Sequence, residues 1–419
     1  MRDPERPVPV SGHGVRRQFQ LAAAIIEAGL IDRVPFVDQR LIDLDGGRKS
    51  LVVRTVVDDD VAGVQLRGEH GELGEQGFAE PVALDQFRQL ADSEPFEPST
   101  YRGMVELLER TQAYDRARVA NQLLVGLGCE VDAEFERPKT TPSREFEPRH
   151  IEELLLPDGL RNGVFGCLRA ALPLAEKLWA DELPQRKALD GTRHRDGKLY
   201  EAVADALSAF GIKKFKLVTG DSGPLGPQVF SDGTIWLNAD VIAEMTDAER
   251  RFVAGYCAAL AWSDLSAMLT LDGRRLWHLL EGVQLRQTGR GFTDRVDVDS
   301  QALGEEVAGP LFTVARRRVA QALEVVGKEI ADAHCEAWPS DIDHFAHRVG
   351  MILCGDIPAS LSALLALGGW DGDLGDPTTQ ARLRRTTSAQ SLFRFASTDA
   401  FLLARHSVGL AGRPSSLAV

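Results

Sequence analysis

TDAERRFVAGYCAALAW, Thr246 to Trp262, is the stretch around which the rest of the chain is read. Thr246 is a favourable helix N-cap, because its hydroxyl accepts an N–H that the first turn leaves open. Glu249 follows three residues later, at the capping-box position. From Phe252 onward nearly every residue is apolar or small. A helix apolar on all sides belongs in a core, so the pattern predicts a buried helix beginning at Thr246.

The residues before it set its context. FKLVTG (215–220) and PQVFSDGTIWLNADVI (227–242) have the apolar runs of strands. SDGT reads as a hairpin turn, since Asp-Gly accepts positive φ. The expected order is strand, hairpin, helix. Helical patterns then continue to residue 408, with one long stretch over 302–333.

Toward the N-terminus, residues 1–13 read as disordered and VRRQFQLAAAIIEAGLI (15–31) as a helix. KSLVVRTVV (49–57) and VAGVQLRG (61–68) read as two strands joined by DDD. YRGMVELLERTQAYDRARVANQLLVGLG (101–128) reads as two amphipathic helices joined at TQAYDRA. Ala117 and Ala120 allow close approach, and Tyr114, Leu123 and Leu124 are candidates to fill the seam. EFERPKTTPSREFEPRH (134–150), charged and rich in proline, reads as a linker.

Composition narrows the function classes. The chain has 419 residues, 44% hydrophobic and 26% charged, with a net charge of −14. That is ordinary globular composition. An acidic surface repels phosphate backbones, which argues against nucleic-acid binding. The five cysteines include no CxxC pair, which favours a reducing compartment over a disulfide framework. No leader-like apolar segment follows the N-terminus, and no run approaches eighteen apolar residues. The expectation is a cytoplasmic protein without membrane insertion.

A zinc peptidase places two histidines at i and i+4 on one helical face, with a glutamate at i+1 to take a proton from metal-bound water. AERRFVAG and its preceding hairpin resemble the entry to that helix in gluzincin peptidases of the CAAX-protease type. On this resemblance the motif positions fall on Tyr256 and Leu260 for the histidines and on Cys257 for the glutamate. DIDHFAHRVGMILCGDIPASLSALL (341–365) resembles the family's third-ligand helix, Glu-x-x-Ala-Asp-Arg. There Asp343 stands for the glutamate, Ala346 for the alanine, His347 for the aspartate and Arg348 for the arginine. AYDRA in the 101–128 hairpin is similar to one step of a tetratricopeptide repeat; a generic αα-hairpin is the other reading. Over 99–410 the order of segments resembles the C-terminal region of large bacterial tetratricopeptide-repeat proteins that end in a degenerate gluzincin-like domain.

The implied fold class is α+β and predominantly α-helical: a tetratricopeptide-like hairpin, then a zincin-like domain with a small antiparallel sheet. The expected segments are a disordered 1–13, a small α/β module over 14–98, the hairpin at 99–133, a linker at 134–150, the gluzincin-like domain at 151–408 and a flexible tail at 409–419. The implied function is a non-catalytic pseudo-peptidase that binds protein partners and needs no cofactor. Residue chemistry agrees, since Leu260 has no donor atom and a neutral Tyr256 is a poor ligand. Cys257 points about 100° away from Tyr256 on a helix. Its apolar neighbours favour a buried, inert thiol.

An extended peptide could add to the hairpin edge at Val229, Phe230, Thr234 and Trp236. The alternative is a metal-dependent hydrolase with a rearranged site of Cys257, Asp343 and His347. His334, Cys335 and His344 lie near that set in sequence and read either as metal ligands or as solvated groups. Neither DDD (58–60) nor WDGDLGD (370–376) has a calcium-loop register.

Overall fold

The computed structural model describes residues 37–44, 48–57, 60–67, 76–131, 138–184, 189–331 and 333–412. The expected features at 1–13 and 15–31, and the tail beyond 412, lie outside these residues. The chain divides into two compact units, Met1–Gln112 and Ala113–Val419.

In the first unit β1 (Val37–Leu44), β2 (Arg48–Val57) and β3 (Asp60–Arg67) form an antiparallel meander. Val57 pairs with Asp60, so β2 and β3 are the expected antiparallel pair, and residues 58–59 between them lie outside the described residues. β1, VDQRLIDL, went unread because its apolar residues do not alternate and its polar ones look like loop. Two helices follow, α1 (Gln76–Ser93) and α2 (Pro98–Arg110). α2 starts with Glu97 accepting from Ser99 N and with Pro98 in its first turn, where no N–H is needed. It buries Tyr101, Met104, Leu107 and Leu108.

The second unit is mostly helical and holds a small sheet. Its helices are α3 (Tyr114–Gly126), α4 (Val164–Leu178), α5 (Lys198–Ser208), α6 (Ala239–Glu244), α7 (Asp247–Ser263), α8 (Gly273–Thr288), α9 (Val298–Glu306) and α10 (Thr313–Ala331). They continue with α11 (Trp338–Cys354), α12 (Ile357–Leu367), α13 (Pro377–Arg385), α14 (Thr387–Ala396) and α15 (Asp399–Ser407). Gly309-Pro310 breaks the stretch expected as one long helix over 302–333, because proline cannot continue the hydrogen-bond ladder. α3 buries Ala117, Ala120, Leu123 and Leu124, and Leu361 of α12 closes on Gly126. Tyr114 does not fill a seam; it opens α3 and is 63% exposed. Within the stretch read as linker, Phe146 is buried on Phe210, and Ser143 N donates to Val408 O.

The sheet has the order β4 (Thr192–His194), β5 (Lys216–Gly220), β7 (Thr234–Asn238), β6 (Gln228–Val229). β6 and β7 make the expected hairpin, with Gly233 at φ 76° in its turn. The sheet is mixed, which corrects the expected antiparallel one. β7 inserts between β5 and β6 and runs parallel to β5. All five β7 residues are buried.

The core forms on α7 and α11. The capping box at Thr246 and Glu249 is made in both directions. Every residue from Phe252 to Leu260 is buried, as the all-round apolar pattern requires. The two helices meet at Gly255 and Gly350, where a Cβ on Gly255 would sit 2.8 Å from Gly350 Cα. α5 and α12 pack on α7, and α14 packs on α11. Among the described residues no helix is long and apolar enough to cross a membrane.

Candidate functional site

The close crossing at Gly255–Gly350 brings Tyr256 of α7 against Asp343 and His347 of α11 in one polar cluster. Tyr256 Oη donates to Asp343 Oδ1 at 2.9 Å. Ser388 of α14 donates to Asp343 Oδ2 at 3.2 Å. His347 Nδ1 lies 3.2 Å from Asp343 Oδ2, an ion-pair distance without well-formed hydrogen-bond geometry. The His347 ring packs on Tyr256, with centroids 4.9 Å apart, and stacks on Phe252 at 5.9 Å. Helix periodicity explains the pairing of Asp343 and His347, which stand at i and i+4 on α11.

The electrostatics follow from burial and from these partners. Burial pushes Asp343 up, but His347, Tyr256 and His344 outweigh it and hold the carboxyl below its ordinary range. Burial, then the Asp343 charge, keeps Tyr256 protonated far above its ordinary value. Burial likewise drives the Cys257 thiol well up. His344 is lowered to about 4, chiefly by burial. Asp341, one turn earlier, is raised to about 6 by burial. Arg348 lies over the Phe395 ring at 5.1 Å and donates to Leu155 O at 3.2 Å.

These residues do not fit a zinc ion. Tyr256 spends its hydroxyl on Asp343, Leu260 offers no donor, and Cys257 is held as a neutral thiol. Asp343 and His347 come together, but Cys257 does not join them in a set of ligand atoms. The rearranged site of Cys257, Asp343 and His347 is therefore not assembled. Helical geometry is the reason: Tyr256 takes the face turned to Asp343, and its neighbour points elsewhere. His334 is exposed and Cys335 partly so; neither enters the cluster.

The expected peptide edge needs correction at β7, whereas β6, with Val229, is an outer strand of the sheet. β7 is an inner strand, bonded to β5 and β6, so Thr234 and Trp236 lie at no edge. Trp236 Nε1 donates to Asp190 O at 3.1 Å. Val229 is buried, and its carbonyl accepts from Ser266 Oγ at 2.5 Å. Phe230 N bonds to Thr234 O inside the hairpin. Alternation alone cannot reveal which side of a strand a distant partner will cover.

Two features escaped the sequence reading. Ser388 gives no local signal, because it meets Asp343 only through the packing of α14 on α11. The second lies on α8 and α9, where His278, Asp297 and Asp299 place ligand atoms within 4.8 Å of one another. The spacing His278-x-x-Glu281 on one helix and Asp-x-Asp at the next helix start were its available signals.

No protein-family model, curated protein or solved structure matches this chain.

Proposed function

We propose that the chain is a non-catalytic protein that binds protein partners, built on a zinc-peptidase-like scaffold whose metal position is filled by side chains. The observation that carries this reading is the Tyr256–Asp343 bond at the centre of a closed α7–α11 core. A hydroxyl donated to the carboxylate occupies the place a metal ion would take on the gluzincin resemblance. The tyrosine, the cysteine and the leucine supply the volume that closes the core. The second unit also leaves apolar surface in water. Leu311, Val314 and Val325 are 82, 68 and 80% exposed. Val314 and Val325 lie three helical turns apart on α10 and so share a side. Exposed apolar surface of this kind supports a binding role.

The test is hydrolysis. The purified chain, with and without added Zn²⁺, is incubated with a mixed peptide library and with casein. The expected outcome is no cleavage above that of an Asp343→Asn variant. Cleavage that disappears in Asp343→Asn, with folding intact by circular dichroism, overturns the proposal.

A further inference from the structure

Outside the α7–α11 core, the corner where α8 meets α9 holds polar groups in a different state. Gly282 and Gly304 bring the two helices together, since a Cβ on Gly282 would come within 2.5 Å of Ser300 O. That approach sets His278 of α8 against the first turn of α9. His278 is buried, 8% exposed, and its Nδ1 is 2.9 Å from Ser300 Oγ. With Nδ1 engaged, Nε2 is the nitrogen left to bind. Asp297 caps α9 through one oxygen, which accepts from Asp299 N at 2.9 Å. Its other oxygen stays available. Asp297 and Asp299 are exposed, and their carboxylates share the 4.8 Å set with the His278 ring.

A second observation is a buried carboxylate next to this corner that the chain itself leaves partly unmatched. Glu281 stands one turn after His278 on α8 and is fully buried, at 0% exposure. Its Oε1 accepts from Phe292 N at 3.2 Å and Thr293 Oγ1 at 3.4 Å, while Oε2 has no partner. Among the described residues, none of the three carboxylates, Glu281, Asp297 and Asp299, forms an ion pair. A buried carboxylate without a cation or a full set of donors is costly. A positive ion held one helical turn away offsets that cost through the low-dielectric corner.

We propose that His278, Asp297 and Asp299 form a divalent-metal site. One imidazole nitrogen and two carboxylates match first-row transition ions such as Mn²⁺ or Zn²⁺ better than the all-oxygen sets of Ca²⁺ or Mg²⁺. Ser300 is the outer partner that fixes the imidazole, as second-shell groups do for metal-bound histidines. The site ties the 289–297 loop to both helices. Three protein ligands leave coordination positions open to water or to a small anionic ligand. The site is separate from Tyr256 and Asp343, so the non-catalytic reading stands or falls independently of it.

The experiment uses the full chain, stripped with a chelator and dialysed. Binding of Mn²⁺ is followed by the electron paramagnetic resonance of the free ion, and binding of Zn²⁺ by calorimetry. The variants are Asp299→Asn, His278→Gln and Ser300→Ala. The expected result is about one equivalent bound by the unaltered chain, weakened at least tenfold in Asp299→Asn and in His278→Gln, and roughly tenfold in Ser300→Ala. Asp299 is exposed in a first turn, so Asp299→Asn should stay folded without metal, with a small drop in melting temperature from the lost helix-dipole interaction, and keeps the test valid even if His278→Gln misfolds. Absence of binding at millimolar concentrations of either ion overturns the proposal. So does binding that Asp299→Asn leaves unchanged.

Discussion

The α7–α11 core and the α8–α9 corner hold the same kinds of side chain in opposite states. In the core, Asp343 receives Tyr256 and Ser388 and lies against His347, so its charge is met from within the chain. In the corner, Glu281 keeps an unpartnered oxygen, and among the described residues two further carboxylates beside a fixed imidazole pair with no basic side chain. The sequence resemblance put the positions of a lost metal centre at the first place, with a rearranged metal site there as the alternative. There Asp343 already has both oxygens met by hydroxyl donors, whereas in the second place Glu281 Oε2 has no partner. A residue's type says which chemistry is available to it. Whether that chemistry is already used depends on what packs against it.

The comparison can be broken most severely at the helix crossing. A Cβ on residue 350 would come 2.7 Å from Phe252 O and 3.0 Å from its ring, so Gly350→Ala must push α7 and α11 apart. The expected loss is about 3 kcal/mol in urea unfolding, at the upper end for overpacking. The core cluster should loosen with it, seen as a weakened Tyr256 phenol signal in ultraviolet difference spectra.

The corner should respond to metal instead. Mn²⁺ at a hundred times its dissociation constant is expected to add about 2.7 kcal/mol to the unaltered chain. Thermal melts of Asp299→Asn should show no such gain, and an equal gain in that variant would erase the contrast.

Tyr256→Phe sharpens the picture of the core. It removes one donor to a charged acceptor, at an expected cost of about 2 kcal/mol near neutral pH. The folded Asp343 carboxyl lies below its ordinary range, so its contribution is present above that range and is lost as pH falls through the folded value. Without Tyr256 the folded value rises, and the acid-unfolding midpoint should move to higher pH. A midpoint that stays in place would mean that His347 and Ser388 hold the charge alone.

The smallest effect concerns His344 and Asp341 on α11. His344 has a folded value of about 4 against an ordinary 6.5, so its contribution is complete above 6.5 and falls as pH drops to 4. Asp341 has a folded value of about 6 against an ordinary 3.8, so its contribution is present below 3.8 and is lost as pH rises to 6. Between pH 4 and 6 the two slopes oppose. In His344→Gln stability should fall with rising pH across this window, and in Asp341→Asn it should rise. Each change is on the order of 1 kcal/mol, because both groups are partly exposed and screened. Identical pH profiles in the two variants would show that neither group titrates as its surroundings require.

Local patterns carried much of the helical core. Thr246 and Glu249 announced the start of α7, and the run from Phe252 to Leu260 announced its burial. Asp232 and Gly233 announced the β6–β7 turn, and the valine runs announced β2 and β3. Each of these rests on interactions between residues a few positions apart, which spacing and residue type determine directly. What only the tertiary structure decided involves residues far apart in sequence. β7 slid between β5 and β6, which turned an expected edge into an inner strand. Ser388 reached Asp343 across 45 residues, and Ser300 reached His278 across 22. Ser388 arrives through the packing of α14 on α11, and Ser300 through the crossing at Gly282–Gly304, where missing side chains let backbones touch. A glycine in the sequence permits such an approach without naming the partner that will make it. That is why the sequence supplied the candidate ligands while the fold decided which were already paired and which were left open.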